Sequence, residues 1–150
     1  IFYSQVRVCR GNTDFNLLKF RTMKPDSDKT EQLTVGTNDS RITGIGKFLR
    51  KFKLDEIPQL LNVIKGDMSL IGPRPLLIQY LDRYSSEQSK RHNVRPGITG
   101  WAQINGRDEI SLEEKVAYEK EYLQRKSIQF DLKIVLLTFT TVLMSKGVKH

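Results

Sequence analysis

The stretch "KFKLDEIPQLLNVIKGDMSLIGPRP" at 51–75 sets two adjacent carboxylates, Asp55 and Glu56, between a basic segment and an amphipathic run. Apolar positions 57, 60, 61 and 64 follow helical spacing, Pro58 suits a first turn whose backbone donors are free, and Gly66 stands where a C-terminal cap belongs. The spacing predicts a helix beginning at Asp55 as its N-cap. On one reading the acids only cap, complementing the positive end of the helix dipole. The other reading is chemical. Lys47, Arg50 and Lys51 share a face by their spacing, Lys53 lies between them and the acids, and cations beside a helix N-terminus make an anion site. Neighbouring side chains there diverge, so the carboxylates suit separate tasks better than one shared proton. An aspartate can attack phosphorus to form an acyl phosphate. Its neighbour can help hold magnesium, which takes a carboxylate or two together with phosphate oxygens. Positive side chains would offset charge on the transferring phosphoryl group.

Further arginines stand in stiffened backbone. Arg74 lies between the prolines of "GPRP", Arg95 precedes Pro96, and Arg107 follows the Asn105-Gly106 turn signal. An isolated loop arginine is ordinarily a solvated surface residue, but three in stiffened loops beside a paired-acid helix start are less easily dismissed. Trp101 suits either core packing or a stacking platform for a base.

The elements that must position these groups are legible in outline. Phe2 to Val8 alternates as a strand, "GNTD" at 11–14 is a turn, and 15–23 resumes as a second strand, which predicts a hairpin. Residues 24–40 are polar and aperiodic, a loop. Positions 45, 48, 49 and 52 carry helical spacing, so a separate helix precedes the one at the carboxylates. The expected fold is α+β, a small antiparallel sheet or hairpin with several amphipathic helices. At 150 residues the chain is the size of one domain, 1–150. It opens without Met in an alternating stretch, as a piece of a longer protein would. A formal charge of +8 points to a polyanionic partner: nucleic acid, an anionic membrane or a phosphorylated small molecule. One cysteine, Cys9, excludes a disulfide framework, and His92 and His150 lie too far apart to suggest a local metal motif. No apolar run reaches the roughly 18 residues of a spanning helix. In "FDLKIVLLTFTTVLM" at 130–144, Leu136, Phe139, Thr140 and Leu143 form one stripe, which either packs into the core or rests on lipid. Lys133, Lys146 and Lys149 near its ends suit anionic headgroups.

"KFRTM" at 19–23, "LDEIPQLLNVIKGDMSLIGPRPL" at 54–76 and "RPGITGWAQINGR" at 95–107, in this order, resemble the bacterial sugar transferases, the monotopic phosphoglycosyl transferases. The resemblance runs from about Phe2 to Val148. It implies transfer of a sugar 1-phosphate from a UDP-sugar to a polyprenyl (undecaprenyl) phosphate at the cytoplasmic face of the bacterial inner membrane, with release of UMP. That reaction would initiate exopolysaccharide, capsule, O-antigen or glycoconjugate synthesis. It implies Asp55 as nucleophile, Glu56 as ligand of Mg2+, and Lys19, Arg50, Arg74 and Arg107 as phosphate-handling residues. Asp131 matches another family carboxylate of open role. The implied partners are UDP-sugar, polyprenyl phosphate and membrane lipid but no nucleic acid, with a homo-oligomer left open. Members usually carry a re-entrant membrane helix before the stretch that begins here at Ile1. Glu119 in "EKEY" replaces a common Asp, Gln79 replaces a common Glu, and "GRDEI" departs from the usual continuation. The rival readings are a non-catalytic basic nucleic-acid-binding module and a membrane-docking scaffold, although no nucleic-acid-binding motif stands in the sequence.

Overall fold

The structure, a computed structural model, describes residues 1–25, 27, 39–106 and 110–143. Most of the predicted 24–40 loop lies outside the described residues, as do Arg107, Lys146 and Lys149.

The alternation at the start of the chain forms the predicted hairpin. β1 (Phe2–Val8) pairs antiparallel with β2 (Asp14–Phe20), setting Phe2 against Phe20 and Val8 against Asp14. β2 stops short of the predicted Met23 because its partner strand has run out, and Met23 bridges instead to Ile42. Phe15 and Leu17 are buried against Met68, with Cys9 packed beside them as a small hydrophobe.

α1 (Gly44–Lys51) begins at Thr43, whose Oγ1 accepts from the Gly46 N–H at 3.0 Å. Gly46 faces the Thr22 carbonyl so closely that a Cβ would lie 2.2 Å from its oxygen. Only glycine lets this helix approach the backbone of the "KFRTM" segment.

The carboxylates do not cap a helix. Asp55 and Glu56 lie in a 3-10 turn, Leu54–Glu56, entered through Lys53 in the left-handed conformation at φ 57°. α2 (Gln59–Lys65) follows, with Pro58 at its N-cap making no side-chain cap. Proline explains the displacement. Pro58 has no N–H to offer the Leu54 carbonyl, which takes the N–H of Ile57 instead at 3.2 Å and tightens the turn. Gly66 ends α2 as predicted, at φ 88°.

The chain then returns as β3 (Ser69–Ile71), which pairs in parallel with β4 (Gly97–Thr99), an element the sequence pattern did not reveal. Between them come α3 (Ser86–Ser89) and 3-10 turns at Ile78–Arg83 and Lys90–Asn93. Beyond β3 the backbones of Gly72 and Gly97 approach so closely that a Cβ on Gly97 would lie 2.1 Å from the Gly72 nitrogen. Helices α4 (Trp101–Ile104), α5 (Leu112–Arg125) and α6 (Ile128–Leu143) complete the described fold.

Ile71, Tyr122, Phe130 and Ile134 form the second core cluster, and Trp101 packs against it with Nε1 donating to Glu121 at 2.7 Å. Trp101 thus packs half-buried at the edge of the core. On α6 the packing face is Phe130 and Ile134, whereas Leu136, Phe139 and Thr140 of the predicted stripe are exposed. These three residues are therefore not core, which removes that reading for them, while the side chain of Leu143 lies outside the described residues. Among the described residues no helix is long and apolar enough to cross a membrane.

Candidate active site

Three segments distant in sequence converge on one carboxylate oxygen. The Asn62 side chain on α2 accepts from the Leu18 N–H at 3.1 Å and donates to the Asn16 carbonyl at 2.8 Å, so it stands in for a neighbouring strand along β2. The next residue, Lys19, is thereby fixed, and its Nζ lies 3.0 Å from Glu56 Oε1. Arg74 Nη2 reaches the same oxygen at 2.8 Å. The prolines hold this arginine, and backbone bonds hold the prolines: Gly72 N–H donates to Thr99 and Gly97 N–H to Pro73, both at 2.9 Å. Glu56 thus joins β2 to the "GPRP" turn, with its own side chain only 10% exposed.

Asp55 is the second carboxylate of the turn. It is buried, and its Oδ1 has no hydrogen-bond partner among the described residues. Burial pushes its carboxyl pKa up and the adjacent Glu56 charge adds to this, while Lys19, Arg50 and Lys53 pull it down without cancelling the rise. Lys19 is lowered by burial and by Arg74, with Glu56 opposing. Arg50 is aimed by α1, its Nε donating to Thr22 Oγ1 at 2.9 Å. Lys47 and Lys51, predicted to share its face, are exposed. The positive charges acting on Asp55 are those of Lys19, Arg50 and Lys53. The arrangement offers a desolvated carboxylate oxygen, a second carboxylate and three cations, which suits nucleophilic attack on an anionic phosphorus centre.

A family model described as bacterial sugar transferase matches residues 1–145. The chain belongs to the bacterial sugar transferases. It is 48% identical over 150 residues to the Bacillus subtilis (strain 168) protein named uncharacterized sugar transferase EpsL, covering all of this chain and 73% of that one. It is 40% identical over 155 residues to the UDP-glucose:undecaprenyl-phosphate glucose-1-phosphate transferase of Xanthomonas campestris pv. campestris, covering 97% of this chain and 32% of that one. It is 39% identical over 155 residues to an Aeromonas hydrophila protein named UDP-N-acetylgalactosamine-undecaprenyl-phosphate N-acetylgalactosaminephosphotransferase, covering 99% and 37%. The chain thus spans about a third of the length of the latter two relatives.

In this sugar transferase the predicted residues Lys19, Asp55, Glu56 and Arg74 come together, with Arg50 alongside. Asp131 does not join that contact set. Its Oδ1 accepts from the Tyr122 hydroxyl at 3.0 Å, and it lines a separate open cleft of about 330 Å³ with Arg10, Arg95 and Lys126. Asn62, Arg91 and Glu119 take part in holding the site but were not read as doing so. Glu119 had one signal, its three-residue spacing from Tyr122 on a single helix.

Glu56 is the residue expected to hold magnesium. The donor set present is two carboxylates of hard oxygens, one with an unpartnered buried atom, and this fits a magnesium ion that draws its other ligands from phosphate and water. Among the described residues no cluster of three or more His, Cys, Asp or Glu offers a site built from protein alone.

Proposed function

We propose that this sugar transferase moves a sugar 1-phosphate from a UDP-sugar to undecaprenyl phosphate, through a covalent intermediate on Asp55. The names of the Xanthomonas and Aeromonas relatives support the substrate class. The observation that carries the mechanism is the buried, unpartnered Asp55 Oδ1 within the field of Lys19 and Arg50. A carboxylate oxygen of Asp55 attacks the phosphorus that bears the sugar. The bond from that phosphorus to the bridging oxygen breaks, and UMP leaves with the electron pair. An oxygen of the polyprenyl phosphate then attacks the same phosphorus, returning the Asp55 carboxylate and giving the lipid diphosphate sugar. Arg74 and Lys19, freed from Glu56 as donor phosphate arrives, bind the phosphate oxygens, and Arg50 offsets charge at the attacked centre. Glu56 would hold magnesium, which supplies further compensation of phosphate charge.

The test is a panel of UDP-sugars assayed for UMP release in mixed micelles containing undecaprenyl phosphate, with and without chelator. Release from at least one donor, abolished by chelator and restored by magnesium, is the expected result. No UMP from any donor would overturn the reading, and release that survives excess chelator would remove the metal from it.

A lipid acceptor requires the site to lie near a membrane surface, at the cytoplasmic face where UDP-sugars are made. The exposed apolar side chains beside the carboxylates support this. Ile45 and Phe48 on α1, Phe52 after it, Ile57 and Leu60, Leu61 and Ile64 on α2 are all exposed, Ile64 by 82%, with Lys47, Lys51 and Lys65 among them. Apolar residues in such numbers, rimmed by lysines, suit the headgroup region of an anionic bilayer better than water. The exposed α6 stripe supplies a second such surface. Phe48→Ser with Ile64→Ser is expected to cut flotation with anionic liposomes by about tenfold, since each large side chain contributes about 1.5–3 kcal/mol when fully buried. Thermal stability should fall by no more than about 1 kcal/mol, because both side chains are largely exposed and Phe48 loses only its ring contact with Phe52. Unchanged flotation would remove α1 and α2 from the membrane surface, and Phe139→Ser tests α6 in the same assay.

A further inference from the structure

The active-site arginine is held from behind by a pair of charges that has no place in the chemistry itself. Arg91 and Glu119 are both buried, and Arg91 Nη2 lies 2.9 Å from Glu119 Oε1. The same nitrogen donates to the backbone carbonyl of Arg74. The guanidinium thus pairs with the Glu119 carboxylate while donating to the Arg74 carbonyl. One turn further along α5, the Tyr122 hydroxyl donates its one hydrogen to Asp131 at 3.0 Å and lies 3.4 Å from the Ile71 carbonyl, with its ring packed in the cluster that holds Ile71. Glu119 and Tyr122 lie three residues apart, on one face of the helix, and that face meets both ends of the segment 71–74. Burial raises the pKa of Glu119, and the opposing positive charge of Arg91 favours its ionised form.

A buried ion pair is seldom retained for stability alone, since desolvation takes back most of the Coulombic gain. What this pair provides is a fixed donor aimed at one backbone oxygen. "GPRP" has little hydrogen-bonding capacity of its own, because two of its four residues have no N–H. Its carbonyls must therefore be held from outside.

We propose that Arg91, held by Glu119, is a positioning residue for Arg74, and that Tyr122 secures the other end of the same segment. Arg91 touches neither substrate nor the carboxylate pair. It fixes the backbone from which Arg74 reaches Glu56 and, on the reading above, the donor phosphate. The catalytic half of this inference rests on that role for Arg74, whereas the mechanical half does not.

The test has two readouts, so that the two halves fail separately. Hydrogen exchange followed by mass spectrometry on peptides spanning 71–76 reports the brace without reference to activity. Glu119→Gln removes the charge that holds Arg91 and should speed exchange there by about tenfold, with β1 and β2 unchanged. Glu119→Asp keeps the charge and should restore most of the protection, which mere filling of the space would not require. UMP release is then measured for Glu119→Gln in wild-type and Arg74→Ala backgrounds. If Arg91 acts through Arg74, the first background loses about tenfold in kcat and the second less than twofold. Unaltered exchange at 71–76 would overturn the brace. An equal loss in both backgrounds would overturn its action through Arg74. If wild type releases no UMP, the proposed function fails while exchange still decides the brace. Should Glu119→Gln not fold, Tyr122→Phe removes a single hydroxyl and is read by exchange at Ile71 in the same way.

Discussion

Asp55→Asn is expected to abolish turnover, by on the order of 10⁴-fold or more, while leaving the protein at least as stable as wild type. The amide has nearly the same shape but no attacking oxyanion, so no phosphosugar adduct should form on incubation with UDP-sugar. Intact-protein mass spectrometry reads this directly, and an adduct that persists in the variant would end the assignment of the nucleophile. The stability half follows from the raised pKa of Asp55. Between the ordinary carboxylate pKa and the raised one, the native state binds more protons than the unfolded chain, so stability falls as pH rises through that window. Above it the cost of a buried charge is fully present. Removing the charge should therefore raise Tm at pH 7, and the gain should vanish below the ordinary carboxylate range. The acid limb of kcat/KM in wild type should likewise stand above that range. Lys19→Met should move it further up, because Lys19 is the first of the cations that oppose the rise.

Glu56→Gln should cost both activity and stability, the reverse of the pattern at Asp55. Glu56 Oε1 accepts from Lys19 and Arg74 together, so neutralising it leaves two cations facing each other around an amide. Deeply buried pairs lose roughly 3–5 kcal/mol when one partner is removed. Here about 2 kcal/mol is expected, because the Arg74 side chain keeps 39% of its surface exposed and water screens it. The fold should survive. UMP release should fall by about 100-fold, from weaker metal binding and from misplacement of both cations. Urea unfolding and steady-state kinetics measure the two losses. Wild-type stability in Glu56→Gln would mean that the ion pairs hold nothing together.

Local pattern carried the reading of some elements and failed at others for identifiable reasons. The hairpin was legible because alternation and the turn residues at 11–14 act between near neighbours. Gly66 was legible because a left-handed cap needs glycine whatever surrounds it. The turn at Asp55 was misread as a helix cap because the consequence of Pro58 lies upstream, at the Leu54 carbonyl it leaves without a donor. β3 and β4 escaped notice because three-residue strands show no period, and what joins them is the close passage of Gly72 and Gly97. That Lys19, Asp55, Glu56 and Arg74 belong to one site was legible through the resemblance that their motifs carry, but no spacing could show that one oxygen of Glu56 takes two cations. Arg91 and Glu119 were missed as a pair because isolated charges read as surface, and only the tertiary contact of α5 with the turn at Lys90–Asn93 buries them.

The joining of Lys19, Glu56 and Arg74 at a single oxygen also bears on the birth of the enzyme. Chain synthesis delivers these residues in order, and the hairpin can form as soon as β2 is made, since its contacts are local. The "GPRP" turn has no such independence. Its hydrogen bonds wait for Gly97, Thr99 and Arg91, and β3 finds its covering only when Tyr122 and Ile134 arrive. A nascent chain would therefore carry Asp55 from the making of α2 until that of α6 without Arg74 held beside Glu56. Competence would come all at once, when α6 has been made and closes over β3.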